Sequence, residues 1–326
     1  MYDIITIGSA TRDVFVRSPA LEVHENADTD TGVEGCFAMG SKLDISELVI
    51  ETGGGGTNAA ATFARLGWKT ACVTSLGDDP TADEIVRVLK EEKISTEFIQ
   101  RQPGEQSAFA VILLAGSGER TILVRRGAAE KFDAKKIPWK KLEAKWFYIS
   151  SLGGDLDLLR KILDHADRHG IKVAWNPGAH ELKHGSQQLF PLMRRTDVFN
   201  LNLEEAMILL DKKVRDPAAL ARELGELPRR AAIITDGKHG AYAFDRGTVW
   251  HSGIVDVPKI NRTGAGDAFG SGLVAGLMKK DDLAYALKVG TWNGTGVVQH
   301  TGAKRGILRK YPTPKMLAEV PMERIS

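Results

Sequence analysis

At 326 residues the chain suits one large α/β domain, alone or with a small appendage. Its acids and bases nearly cancel, leaving a net charge of +2, which argues against a nucleic-acid binder working through a broad basic surface. Two cysteines, Cys36 and Cys72, lie far apart and in no metal-ligand spacing, the N-terminus lacks a basic n-region, and no apolar run reaches a membrane span. A soluble cytoplasmic protein without nucleic-acid or membrane partners is expected. In chain order, residues 4–8 read as a strand, 59–66 as a helix, 70–76 as a strand and 81–92 as a helix. Further strands fall at 145–150, 172–176, 197–201, 231–234 and 241–244, with helices at 156–169 and 203–210. Two long helical patterns, 265–280 and 283–299, precede a tail with Pro312 and Pro314. This β/α alternation predicts a mostly parallel sheet covered on both faces.

Two stretches interrupt the alternation, about 12–52 and about 97–126. The first holds β-rich runs at 14–16 and 44–51 with loop-like sequence between. The second is a hairpin pattern, 108–114 and 121–124, around Ala115-Gly116-Ser117-Gly118-Glu119-Arg120. Together they predict a small β-sheet lid on the α/β core, within one domain spanning 1–326. Arg120, Arg125 and Arg126 on or beside the hairpin either reach an anionic group or are solvated lid charges.

The run from Asn261 to Phe269 carries the sharpest chemistry. Gly264, Ala265 and Gly266 open a helix whose free backbone amides form a ready anion site. Asp267, one step further, is placed to take the proton from an attacking hydroxyl. The same residues also fit an ordinary helix start with Thr263 as N-cap. A second cluster, Gly53 to Gly56 with Thr57 and Asn58, leads into a small-residue helix and lets a ligand lie against the backbone.

Asn202 and Glu205 sit on one face at the end of a strand, either to serve Mg²⁺ and phosphate or as a capping box. Thr235, Gly237 and Gly240 between two strands suit a triphosphate cradle or a plain β-turn. The stretch 35–42 mimics a P-loop, but its Ser41 and Lys42 are in the wrong order, with no preceding strand or following helix. No dinucleotide fingerprint follows the first strand. His165 and His169, one turn apart, read as an inert pair on an exposed face.

In order and position these motifs resemble the ribokinase-like (PfkB) family of carbohydrate and nucleoside kinases, over nearly the whole chain. The resemblance implies a Rossmann-like core with a β-sheet lid, and ATP- and Mg²⁺-dependent phosphorylation of a hydroxymethyl group on a sugar or nucleoside. It makes Asp267 the base and the amides of Gly264, Ala265 and Gly266 the anion hole. Asp13, Gly54, Gly55 and Asn58 become substrate contacts. Asn202, Thr235, Gly237, Gly240, Thr291 and Asn293 become nucleotide contacts, and Glu205 serves Mg²⁺ through water. Some members bind a monovalent cation such as K⁺, for which Asn261, Thr263, Gly302 and Gly306 would be the ligands here. Asn261 stands where the family usually has Asp, so it lacks that charge. A lid sheet with open edges also predicts pairing of two copies. The alternative is a non-catalytic sugar or nucleotide sensor on the same scaffold.

Overall fold

The computed structural model describes residues 1–29, 32–115 and 120–325. Strand side chains alternate between two packed layers, as a two-residue period requires. Ile5, Ile7, Phe147, Ile149, Val173 and Trp175 face one apolar layer, together with the helix Leu156–His169. Ile4, Trp146, Tyr148, Ala174 and Val198 face the other, where the helices Gly55–Arg65, Ala265–Lys279 and Leu283–Val298 pack. Each large side chain so buried contributes roughly 1.5–3 kcal/mol, and the sheet is held from both sides.

The main sheet has ten strands. It is parallel from Ile99–Gln102 through Thr70–Gly77, Tyr2–Ile7, Ala144–Ile149, Lys172–Trp175 and Val198–Asn202 to Ala231–Thr235. Ala241–Asp245, Thr248–Ser252 and Met322–Ile325 then extend it antiparallel. From Tyr2–Ile7 the chain first builds outward on one side, then returns to the other side at Ala144–Ile149. That reversal leaves a crevice beyond the carboxyl ends of the two strands, where open α/β sheets take ligands.

The two interrupting stretches pair with each other. Thr11–Arg17 lies between Glu47–Gly53 and Ala108–Leu114, and Arg120–Arg125 forms the far edge of this four-stranded sheet. One face buries Phe15, Val49, Ala110, Ile112 and Leu114. The opposite face carries Leu48, Ile50, Phe109 and Leu123 to the surface. The loop-like segment expected between the first two strands holds a small hairpin, Glu22–Glu25 with Val33–Cys36. Hence the P-loop mimic begins inside a strand, Val33–Cys36, and no helix comes after it. The Gly116, Ser117, Gly118 and Glu119 turn lies outside the described residues.

Further differences follow from weak local signals. The tail beyond Pro312 forms a short helix, Pro314–Glu319, and the edge strand Met322–Ile325, which gains its ladder only from Thr248–Ser252. His165 is not on an exposed face. It is buried, its Nε2 is 3.0 Å from the Leu142 carbonyl, and burial lowers its pKa. Among the described residues no helix is long and apolar enough to cross a membrane.

Candidate active site

The site gathers where the first strand ends, where the glycine run starts its helix, and where Ala265–Lys279 begins. The four glycines are a packing device. A Cβ on Gly53 would lie 1.9 Å from Asp13 Oδ2, one on Gly55 2.8 Å from Ser150 Cβ, and one on Gly56 2.8 Å from the Gly8 carbonyl. Gly54, at φ 91°, takes a left-handed turn against the backbone of Ser9 and Ala10. Ser9 holds the junction by accepting the Gly56 N–H at 3.0 Å on its carbonyl. The first strand and the glycine helix thus touch without side chains between them.

Asp267 sits in the first turn of Ala265–Lys279, half-buried and facing this junction. Asn58, only 3% exposed, donates from Nδ2 to Asp267 Oδ2 at 2.8 Å. Burial raises the Asp267 pKa, while the Asn58 bond and the nearby Lys304 ammonium oppose the rise. Desolvation likewise raises Asp13, opposed by its 2.6 Å bond from Thr11 Oγ1 and by Lys304, and reinforced by Asp267 and Glu51. Two carboxylates therefore share one partly dry cleft, each more basic than an exposed acid.

Gly264 precedes the helix at φ 81°, with a would-be Cβ 2.6 Å from Ala303 Cβ. A Cβ on Gly266 would meet nothing within 4 Å, so open space lies beside this residue. The helix carries Gly272, Gly276 and, from its neighbour, Gly290, each pressed on the partner helix. Glycines inside helices cost up to ~1 kcal/mol apiece. Here they allow the close helix pairing that fixes where Asp267 points.

Asn202 and Glu205 form the reciprocal capping box: Asn202 Oδ1 accepts the Glu205 N–H at 2.8 Å, and Glu205 Oε2 accepts the Asn202 N–H at 2.9 Å. Burial raises the Glu205 pKa, with a further push from Asp267, so the capping carboxylate also senses the cleft. Thr235 is half-buried, with its hydroxyl 3.4 Å from the Leu201 carbonyl. Gly237 is open, while Gly240 at φ 89° is required by the Ser252 carbonyl, 2.0 Å from its would-be Cβ. The two expected contacts from the last long helix turn inward. Asn293 is fully buried and spends its amide on Thr62, Ala268 and Leu308. Thr291 shares its hydroxyl with Ser252 at 2.9 Å. Asn293 is thus a structural cross-link, with no polar atom left for a nucleotide. Arg126 pairs with Glu130 at 3.3 Å, and Arg125 lies exposed on the edge strand.

Two residues here escaped the sequence reading. Ser150, at the end of Ala144–Ile149, is buried, and its Oγ has no hydrogen-bond partner. Lys304 is the only lysine in the buried set among the described residues, at 6% exposure, and burial lowers its pKa to about 8. Neither has a sequence signal: a Ser after a strand and a Lys in a Gly-rich loop are common on surfaces.

A carboxylate made more basic by burial, at a helix start and facing a glycine-built junction at a sheet reversal, suits an α/β kinase with an alcohol acceptor. The chain belongs to the PfkB family: residues 25–309 match the pfkB family carbohydrate kinase. The ribokinase of Staphylococcus aureus (strain COL) is 28% identical over 293 residues, covering 86% of this chain and 93% of that protein. Burkholderia thailandensis nucleoside kinase in complex with inosine superposes with a TM-score of 0.75 at 20% identity, covering 96% of each chain. A putative ribokinase II from E. coli in complex with ATP and Mg²⁺ superposes at TM-score 0.75 and 18% identity, over 94% of this chain and 96% of that one. Nothing in the site or in these likenesses supports a non-catalytic sensor.

Proposed function

We propose that the chain phosphorylates a hydroxymethyl group of a sugar or nucleoside, with Asp267 as general base. The observation that carries this is the Asn58–Asp267 bond, which holds a basic carboxylate against the glycine junction and beside Asp13. ATP with Mg²⁺ supplies the phosphoryl group as co-substrate. The open space beside Gly266 and the open Gly237 fit its phosphates, while the Ala265 N–H already donates to the Arg262 carbonyl at 3.2 Å. Glu205 fits a Mg²⁺ that keeps most of its waters, since one or two carboxylates suffice for that ion.

Within this frame each residue has a defined task. Asp13 accepts hydrogen bonds from substrate hydroxyls, and the backbone of Gly54 and Gly55 gives the sugar a flat approach. Asp267 takes the proton from the attacking hydroxyl as its oxygen closes on phosphorus. The amides of Gly264, Ala265 and Gly266 stabilise the charge that develops on the transferring group. The four-stranded sheet closes over the cleft as a lid and excludes water. Its exposed apolar face, with Leu48, Ile50 and Leu123, pairs two copies, which sedimentation would read as twice the chain mass.

The test is ADP formation from ATP across a panel of sugars and nucleosides, for wild type and Asp267→Asn. Turnover with at least one acceptor, lost in the variant while nucleotide binding persists, is the expected result. Wild-type rates in the variant would remove Asp267 from the mechanism, and no turnover by wild type would remove the function.

A further inference from the structure

The loop 301–306 carries two cationic side chains that point in different directions. Arg305, at the surface, pairs with Glu51 Oε1. Lys304 runs inward, and its Nζ donates to the Thr52 carbonyl at 2.8 Å, to Thr52 Oγ1 at 2.6 Å and to Thr57 Oγ1 at 2.8 Å. An ammonium has three protons, and all three are used. Its other end is also held, because the Lys304 carbonyl accepts from Arg65, which is itself paired with Glu92. Lys304 therefore lies against the glycine helix, gripped by residues near both of that helix's ends.

The acceptors are informative. Thr52 is the next-to-last residue of the strand that faces Asp13 through Glu51, and Thr57 lies in the first turn of the helix that carries Asn58, bonding back to the Gly53 carbonyl at 2.7 Å. Ala303, next in the chain, packs on Gly264. One buried charge thus joins the strand end, the glycine helix and the start of the Asp267 helix. Burying an ammonium is costly unless it is fully hydrogen-bonded and near opposite charge. Asp13, Glu51 and Asp267 provide that charge.

Of the residues that would ligate a monovalent cation, Thr263 keeps a buried, unpaired Oγ1, but Asn261 beside it opposes one. Asn261 is 2% exposed, and its Oδ1 is taken by the Thr263 N–H at 3.0 Å, which turns a buried, unpaired Nδ2 donor to the interior. A cation needs oxygens there, not N–H protons. Gly302 faces Glu51, whose Oε2 lacks a hydrogen bond, but that carboxylate is already paired with Arg305.

We propose that Lys304 is a positioning residue whose ammonium ties the loop 301–306 to the junction 52–57, holding Asp13 and the Asn58–Asp267 pair in register without a bound monovalent cation. This rests on the phosphotransfer reading above. The charge acts through Thr52 and Thr57 and does not touch substrate.

The experiment compares wild type, Lys304→Met and Lys304→Ala on the best acceptor of the panel, in sodium, potassium and ammonium chloride at equal ionic strength. Wild-type rates should agree among the salts within about twofold, and Lys304→Met should raise the acceptor KM about tenfold or more while the ATP KM stays near wild type. Lys304→Ala should regain activity in ammonium chloride and not in sodium chloride, a rescue that a purely structural role would not give. Wild-type activation by K⁺ of about fivefold or more, or a wild-type acceptor KM in Lys304→Met, overturns the proposal. Should both variants fail to fold, Thr57→Val, which removes one acceptor of the ammonium, takes their place and should raise the acceptor KM in the same direction, an unchanged KM overturning the proposal. A wild type that turns over no acceptor overturns the phosphotransfer reading, and this inference with it.

Discussion

The two glycine clusters look alike in the sequence and do opposite things in the structure. In Gly53–Gly56 every glycine faces protein at less than contact distance: Asp13, Ser9, Ser150 and Gly8 in turn. In Gly264–Gly266 only the first glycine is crowded, and Gly266 faces open space. Absence of a side chain lets two elements touch in one case and leaves room for a ligand in the other. The Asn58–Asp267 bond joins the clusters, so a tightly packed region orients an open one.

Asp267→Asn should separate chemistry from packing most strongly. Asparagine can still accept the Asn58 N–H, but it cannot take a proton, so kcat should fall about 10²–10⁴-fold. That is roughly 3–5 kcal/mol of transition-state stabilisation. Stability should move the other way. Burial raises the folded-state pKa of Asp267, so its contribution is favourable at low pH and is lost as pH rises through that pKa. Asp267→Asn should therefore melt at or above the wild-type temperature at pH 7, with the margin closing as pH falls. Wild-type kcat should itself decline on the acid side as this carboxylate protonates. A variant that melts lower at neutral pH would show that the carboxylate stabilises the junction and does not merely occupy it.

Gly56→Ala tests the crowded cluster. Its methyl would stand 2.8 Å from the Gly8 backbone, where no flexible side chain can yield. A loss of about 1–3 kcal/mol in denaturant unfolding is expected, as for other overpacked sites. An unchanged unfolding midpoint would mean that the first strand and the glycine helix are less closely joined than described.

What could be read ahead follows the same division. Features set by local pattern were legible: the strand and helix alternation, the two interrupting β-rich stretches, and the helix starts at Asn202 and Gly264. Features set by long-range contact were not. Asn293 lies in the last long helix, yet its amide is consumed by residues from two other helices and a loop. Lys304 and Arg305 are adjacent and chemically similar, and only the packing of the glycine helix sends one inward and the other to the surface. The edge strand Met322–Ile325 has a polar, unpatterned sequence and exists because Thr248–Ser252 offers it a ladder.

Glu205 is the residue for which both sequence alternatives survive, and a smaller effect should divide them. Glutamine keeps an oxygen for the Asn202 N–H, so the capping box and the melting temperature should hold in Glu205→Gln. Loss of the negative charge should raise the Mg²⁺ concentration for half-maximal rate about tenfold, or roughly 1.4 kcal/mol. An unchanged Mg²⁺ dependence would leave capping as its whole role.

Gly266→Ala carries the smallest energy and bears most directly on the comparison. The position is helical and its would-be Cβ has no neighbour within 4 Å, so alanine should stabilise the helix by up to ~1 kcal/mol. If a phosphate comes to rest on these amides, the methyl stands in its way, and the KM for ATP should rise several-fold even as the melting temperature climbs. The same methyl at Gly56 should destabilise the fold, so the two substitutions are expected to differ in sign on stability. A Gly266→Ala protein that is more stable and binds ATP as well as wild type would mean that the open space over this helix is not where the nucleotide lies.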